Sequence, residues 1–445
     1  MSATVTRIKS EAEASLESAF AVARESLPGQ AKVQALRDEA AALFACNGLP
    51  TRRVEAWHYT DLRAAMRTML PLAQPPGKAL IAKAGAALAP AAEGQVRAVL
   101  IDGYFIDELS VGLITSDITM RPLDVTLAEG DRVAIEILST PNLGRGDAAL
   151  ALNTAFMQGG VEIDVEPGYH AALPVELIQI NSADKPSAIF SRSMVRAGAG
   201  SKFTLLERHI SLGTEAVQKN DALVLFTSGR SQVEHVFVRE RAPDSQTHVH
   251  SLLLNVWEDV KLNSFALVEG GGLLRRQIFA RFESERAELS LSGSTLLRGK
   301  DHADTTLVVD HANPHNSSRE YFKHIVDGSA TGVFQGKIIV APHAQKTEGM
   351  MKSQTILTGV DAAMYNKPEL EIFADDVTCG HGATVGALDP VQLFYAMSRG
   401  LPRADAETLL LEAFAGDAID RVADESLRDM LIARVRSWLQ RRAMS

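Results

Sequence analysis

Ala287-Glu288-Leu289-Ser290-Leu291-Ser292-Gly293-Ser294-Thr295-Leu296-Leu297 is the stretch that decides the fold. Ala287, Leu289, Leu291, Gly293 and Thr295 alternate with Glu288, Ser290, Ser292 and Ser294. Period two with one polar face marks a strand buried on one side. Gly293-Ser294 then sits mid-strand, where a glycine marks a tight packing point. Similar runs precede it: Val161 to Val165, Leu177 to Ile180, Phe203 to Arg208, Ala222 to Phe226, Val233 to Val238, Leu252 to Val256, Leu262 to Val268 and Ile278 to Phe282. Helical patterns are nearly absent between them. A β-sandwich and a β-helix of stacked rungs both fit. A sandwich this long would normally divide into two domains, and no linker divides it. A solenoid grows by adding rungs, so the β-helix is the expectation, although the glycines do not recur at a fixed period.

Helical patterns flank this region. Ile8 to Glu25 contains neither Gly nor Pro and ends at Pro28-Gly29. Ala31 to Cys46 places Val33, Leu36, Ala40, Leu43 and Phe44 at helical spacing and stops at Asn47-Gly48. Leu70 to Gln95 is rich in Ala, Pro and Gly and reads as a connection. Arg97 to Ile106 and Ile118 to Leu127 read as strands, and Ala148 to Met157 as a short helix. Near the other end Asp389-Pro390 is a capping acid followed by proline at the first helical position. Val391 to Arg399, Ala406 to Ala415 and Glu425 to Arg442 then read as helices. In the last, Leu427, Met430, Leu431, Val435, Trp438 and Leu439 form a stripe that packs on the rest of the chain. The expected organisation is a helical segment with linker over 1–90, a mixed connection over 91–159, the β core over 160–388 and a helical tail over 389–445.

With 445 residues the chain is long enough for a large core. Its net charge of -10, from 55 acidic and 45 basic residues, lacks the basic footprint of a nucleic-acid binder. No apolar segment approaches the ~20 residues of a membrane helix. The N-terminus Met1-Ser2-Ala3-Thr4-Val5-Thr6-Arg7 lacks the apolar core of a secretion signal, so a cytoplasmic location is expected. Cys46 and Cys379 are the only cysteines, too few for a disulfide framework or for a four-cysteine cluster within one chain.

Cys379 and His381 lie two residues apart in Cys379-Gly380-His381-Gly382-Ala383-Thr384. On an extended segment they project the same way. Sulfur and imidazole make half of a metal site, and nothing local supplies the other half. A nearby imidazolium would favour the thiolate, whereas Asp375 and Asp376 would oppose it if close in space. His248-Val249-His250 also places two imidazoles on one strand face, but without a third ligand at a recognisable offset it is not expected to bind metal. His311 and His315, with Asn313-Pro314 between them, read as a structural loop. Phosphate-loop and nucleophile-elbow motifs are absent. Asp375-Asp376 alone raises the alternative of a polysaccharide-acting β-helix enzyme, and adjacent strand residues face opposite ways. The other alternative is an interaction adaptor with an inert cysteine.

Several further blocks accompany the Cys-x-His pair: Val333-Phe334-Gln335-Gly336-Lys337-Ile338, Ala344-Gln345-Lys346-Thr347, Lys367-Pro368-Glu369-Leu370-Glu371-Ile372 and Ala374-Asp375-Asp376-Val377. Phe394-Tyr395 and Ser398-Arg399-Gly400 follow. Near the N-terminus stand Gly48-Leu49-Pro50-Thr51-Arg52, Glu55, Trp57, Tyr59 and Thr60. In these blocks the chain resembles the SufD family, scaffold subunits of the Suf iron–sulfur cluster assembly machinery. The paralogous SufB chains usually carry more core cysteines, whereas this one has a single cysteine after Cys46. His58 departs from a lysine common in the family. The resemblance implies a mainly β fold: a right-handed parallel β-helix core flanked by N-terminal and C-terminal α-helical domains. It implies a complex with a SufB-like subunit, paired through the last part of the β-helix, and a SufC-like ABC ATPase docked on the C-terminal helices. Phe394, Tyr395, Ser398, Arg399 and Gly400 are the candidate ATPase contacts. Cys379 and His381 are implied to serve cluster assembly at the subunit interface. The chain alone is expected to bind no cofactor; the iron–sulfur cluster is shared with the partner, and reduced flavin is associated with the complex. A homodimer through the open β edge is the expectation for the isolated chain.

Overall fold

The computed structural model describes residues 9–130, 135, 138 and 143–443. Residues 1–8, which carry the reading of the N-terminus and the expected helix start at Ile8, lie outside the described residues, as do 444–445 at the end of the tail. Among the described residues nineteen strands form two sheets. They are β1 (Arg97–Ile101), β2 (Tyr104–Phe105), β3 (Ile118–Pro122), β4 (Val161–Val165), β5 (Val175–Asn181), β6 (Ser187–Ala197), β7 (Lys202–Ser211), β8 (Val217–Thr227), β9 (Gln232–Arg239) and β10 (Gln246–Val256). There follow β11 (Lys261–Val268), β12 (Leu273–Phe282), β13 (Glu288–Leu297), β14 (His302–His311), β15 (Ser317–Val326), β16 (Thr331–Val340), β17 (Glu348–Leu357), β18 (Ala363–Ile372) and β19 (Thr378–Gly386). One sheet runs β19-β17-β15-β13-β11-β9-β7-β5-β1-β2 and the other β18-β16-β14-β12-β10-β8-β6-β4-β3. The chain alternates between the sheets and advances one rung with each pair of strands. The result is a parallel β-solenoid of about eight turns, as expected.

The alternation in β13 has a direct meaning. Leu289 and Leu291 point into the solenoid's inner core with Val233, Leu262, Phe322, Phe334, Ile338 and Met351. The opposite faces are also covered, which is why many strands read as nearly continuous apolar runs. Leu206, Val236, Val238, Phe265, Leu267, Leu296 and Ile325 lie under the C-terminal helices. Ala188, Phe190 and Val249 lie under the N-terminal ones.

The rung repeat is real but irregular. Lys261 stacks on Glu288, Glu288 on Ser317, Ser317 on Glu348, and Glu348 on Thr378, so the length of a turn drifts. One corner nevertheless recurs. Gly200, Arg230, Asp259, Arg286, His315 and Lys346 each stand two residues before a strand of the odd-numbered sheet, all with positive φ. After Gly200 this left-handed corner is carried by charged or polar residues, which hides the repeat from a search for glycines.

The helices are α1 (Glu11–Ala23), α2 (Ala31–Asn47), α3 (Leu62–Ala65), α4 (Lys78–Ala87), α5 (Leu123–Glu129), α6 (Ala148–Phe156), α7 (Pro390–Ser398), α8 (Arg403–Ile419) and α9 (Glu425–Ala443). Ser10 caps α1, its hydroxyl accepting from the Glu13 N–H while the Glu13 carboxylate accepts from the Ser10 N–H. Two local expectations are corrected. Within the supposed connection, Lys78–Ala87 is helical: its alanine-rich interior outweighs the flanking Pro and Gly. The strand expected over Ile118 to Leu127 stops at Pro122, and α5 begins at Leu123. Strand β6 lies outside the runs that read as strands in the sequence. Among the described residues no helix is long and apolar enough to cross a membrane.

Candidate functional site at the last rung

β19 and β18 end their sheets; each pairs with one strand, and among the described residues nothing extends either edge. Cys379 and His381 stand two apart on β19 and so share a face. Register fixes which face. Cys379 stacks on Gly349 and Ser318, while His381 stacks on Met351 and Glu320. Met351 belongs to the inner core, so both side chains look into the mouth of the solenoid. Cys379 is half-buried against that core and His381 is exposed. A deeply enclosed thiol would have ruled out a shared site, and this one lies at an accessible rim.

The sulfur packs over Gly349, where an added Cβ would stand 3.4 Å from Cys379 Sγ, an ordinary van der Waals contact. Burial pushes the Cys379 thiol above its ordinary pKa, and the Glu320 carboxyl acts in the same direction, against a hydrogen bond from the Gly349 N–H. The group is therefore a thiol at neutral pH, and ligation must displace its proton. The carboxyl that acts on it is Glu320, two turns beneath, which a local reading of Asp375 and Asp376 could not find. Asp375 and Asp376 lie in a bend before β19, both exposed, with Asp376 paired to Lys346.

The neighbouring motif blocks build this rim. Lys346, with φ 60°, turns the chain so that its N–H donates to Asp376 O at 2.6 Å. Gln345 Oε1 accepts from the Asp376 N–H at 2.8 Å, and the Thr378 N–H donates to Thr347 O at 2.9 Å. The turn at 344–347 thus holds the segment leading into Cys379. One layer down the Met351 thioether packs over Gly336, where an added Cβ would stand 2.4 Å from Met351 Sδ and push that side chain aside.

The N-terminal motif is brought to the same end of the molecule. Glu55 pairs with Lys367 at 2.9 Å, and the Tyr59 ring stacks on Tyr365 with centroids 4.9 Å apart. Trp57 is buried beneath the Arg275 guanidinium, 4.4 Å from its ring centroid, and Arg275 also donates to Ala56 O at 2.8 Å. Thr60 Oγ1 donates to Asp304 Oδ2 at 2.5 Å. His58 is exposed, its Nδ1 3.2 Å from Arg52 O. These residues fasten the N-terminal segment to the outside of the solenoid.

The candidate ATPase contacts sit on and after α7. Asp389 caps this helix through the Val391 N–H. Phe394 and Tyr395 are 72% and 60% exposed, and Val391 beside them is 72% exposed, an apolar patch on the face opposite buried Leu393. Arg399 Nη2 donates to the Tyr395 hydroxyl at 3.1 Å, and its guanidinium lies over that ring. The Ser398 hydroxyl donates to Tyr395 O at 2.7 Å. Gly400 ends the segment with φ 90°. Exposed contiguous aromatics of this kind mark interaction surfaces.

His248 and His250 do share a strand face, and the structure supplies what their sequence spacing lacked: Glu207, His209 and Asp221 from neighbouring rungs. His311 is the last residue of β14, buried with Nε2 3.0 Å from Ser318 Oγ, so only His315 lies in the expected loop.

A family model described as the SUF system FeS cluster assembly SufBD core domain matches residues 178–414, and one described as the SufBD protein N-terminal region matches 11–177. The chain is 29% identical to the iron–sulfur cluster assembly protein SufD of Escherichia coli (strain K12), over 87% of this chain and 89% of that protein. It is 27% identical to an iron–sulfur cluster assembly SufBD family protein of Synechocystis, over 89% and 88% of the two chains. The SufD protein of Bacillus subtilis is 25% identical over 64% of this chain and 65% of its own.

Proposed function

Because the chain belongs to the SufBD family of iron–sulfur cluster assembly proteins, as a SufD-type member, we propose that it is a non-catalytic scaffold subunit of a cytoplasmic complex. Its partners are a SufB-like subunit and a SufC-like ABC ATPase. Iron and sulfide are cargo here. Cys379 and His381 offer one thiolate and one imidazole to arriving iron or to the nascent cluster, and the neighbouring subunit supplies the remaining donors. The observation that carries this reading is the placement of two donors, half of a closed sphere, at the mouth of a solenoid whose two terminal strands have free edges. The SufB-like subunit meets those edges, and the ATPase docks on the apolar patch of α7. ATP-driven closure of the ATPase pulls on the helical tail and opens the rim to its cargo. Reduced flavin belongs to the assembled complex, and no residue of this chain is assigned to it.

The test is co-purification. Affinity-tagged chain, co-expressed with a SufB-type paralogue and a SufC-type ATPase, is expected to retain both. The double variant Phe394→Ala/Tyr395→Ala is expected to lose the ATPase at least about tenfold, with stability changed by no more than about 0.5 kcal/mol because both rings are exposed. Capture of neither partner by the wild-type chain contradicts the proposal.

A further inference from the structure

Far from the rim, the geometry points to a second, enclosed site in the middle of the solenoid: a binding site for one divalent first-row transition-metal ion, held by Glu207, His209, Asp221 and His250. Glu207 and His209 come from β7, Asp221 from β8 and His250 from β10. All four point inward, and each is at most 3% exposed. One donor atom from each lies within 4.8 Å of the other three. His209 Nε2 is 2.8 Å from Glu207 Oε1 and 3.9 Å from Asp221 Oδ2, and His250 Nε2 is 4.0 Å from Glu207 Oε2. A tetrahedral ion with donors at about 2.0–2.2 Å spaces them about 3.3–3.6 Å apart, inside the observed spread.

His250 supplies an independent observation. Its Nδ1 is fixed 3.0 Å from Asp221 Oδ2, while its buried Nε2 makes no hydrogen bond. An imidazole oriented by a carboxylate with its other nitrogen free is a prepared ligand. An outer ring of groups orients the carboxylates. Gln179 Nε2 donates to Glu207 Oε1 at 3.0 Å and to Asp221 Oδ2 at 3.2 Å. His235 Nε2 lies 3.1 Å from Glu207 Oε2, and His248 Nε2 lies 2.5 Å from Asp221 Oδ1.

Lys219 Nζ stands 3.0 Å from His209 Nδ1. With the ammonium donating to Nδ1, His209 carries its own proton on Nε2. Ligation through Nε2 sends that proton to solvent. The ring takes one from Lys219 onto Nδ1, leaving a neutral amine, so one proton leaves for each ion bound. Two imidazoles with two carboxylates select zinc or ferrous iron over calcium or magnesium, which take oxygen donors, and over cuprous copper, which prefers sulfur. Enclosed by rungs on both sides, the ion is loaded while the chain folds and staples β7, β8 and β10 together.

The test uses the full chain, free of histidine tags and refolded anaerobically with Co²⁺ as the probe. About one Co²⁺ per chain is expected, resistant to chelator until the protein unfolds, with visible absorption bands of a tetrahedral nitrogen/oxygen site. X-ray absorption is expected to show two imidazoles and no sulfur. His250→Gln is expected to lower bound Co²⁺ at least about tenfold, whereas Cys379→Ser/His381→Ala retains it. Folded wild-type protein without cobalt overturns the inference. So does a sulfur ligand, or loss of the ion in the rim variant. If His250→Gln does not fold, the wild-type stoichiometry and ligand spectrum decide. Failure here leaves the rim proposal standing, because the two sites share no residue.

Discussion

Replacing Trp438 with alanine is expected to cost about 3–5 kcal/mol, the range for deleting a fully buried large aromatic side chain. Trp438 on α9 is 0% exposed and shares one apolar cluster with Leu206, Val236, Val238, Phe265, Leu267 and Leu296 on the solenoid wall. Leu411, Ala415 and Ile419 of α8 complete the same cluster. The tail is thus seated on the sheet that ends in β19. Trp438 Nε1 makes no hydrogen bond, so Trp438→Phe removes an unpaired donor along with part of the ring. It is expected to cost less than half as much as alanine. Urea denaturation of the full chain measures both, and an alanine cost below about 1 kcal/mol means the tail is not held as described.

Glu320→Gln is expected to abolish a loss of stability with rising pH. Burial inside the solenoid pushes the Glu320 carboxyl up to about 8, only partly offset by the Ser318 hydroxyl and its own backbone N–H. In the unfolded chain the group titrates near its ordinary 4.5. Between those values the folded state holds a proton that the unfolded state has released. Stability therefore falls as pH rises from 4.5 to about 8, then levels off. At about 1.4 kcal/mol per unit, the fall amounts to roughly 5 kcal/mol. Glutamine keeps the volume and has no charge to bury, so the variant gains most of that amount over wild type at alkaline pH. His311 and His324 have the opposite sign. Burial pushes each down to about 3 from 6.5, so stability falls as pH drops through that interval in both proteins. Urea midpoints at pH 6 and pH 8.5 separate the two effects. An equal change in wild type and variant refutes the role given to Glu320.

Much of the architecture was legible because one face of each strand is apolar, as Leu289 and Leu291 illustrate. Where the lumen is polar the signal failed. The first halves of β8 and β10 carry Lys219, Asp221, His248 and His250 inward, so only their apolar ends, Ala222 to Phe226 and Leu252 to Val256, read as strands. β6 has inward Ser191 and Ser193 beside an equally buried Phe190 and Arg192, which erases the alternation. The repeat is hidden in the sequence because its corner residues are Arg230, Asp259, Arg286, His315 and Lys346 rather than glycines. At the rim, the spacing of Cys379 and His381 correctly implied a shared face. That this face is the lumen, with Gly349 and Glu320 beneath it, depends on register between residues some thirty positions apart, and no local pattern encodes that.

The proposed sharing of a coordination sphere is tested most directly by anaerobic cluster reconstitution on the proposed three-subunit complex, wild type against Cys379→Ser, reading bound iron and iron–sulfur absorption. Cys379 is half-buried at a rim, so serine fits, and the complex is expected to elute unchanged. Cluster yield is expected to fall by about tenfold or more, as removal of one protein donor from a four-donor sphere demands. A Cys379→Ser complex that assembles clusters at the wild-type yield contradicts the account.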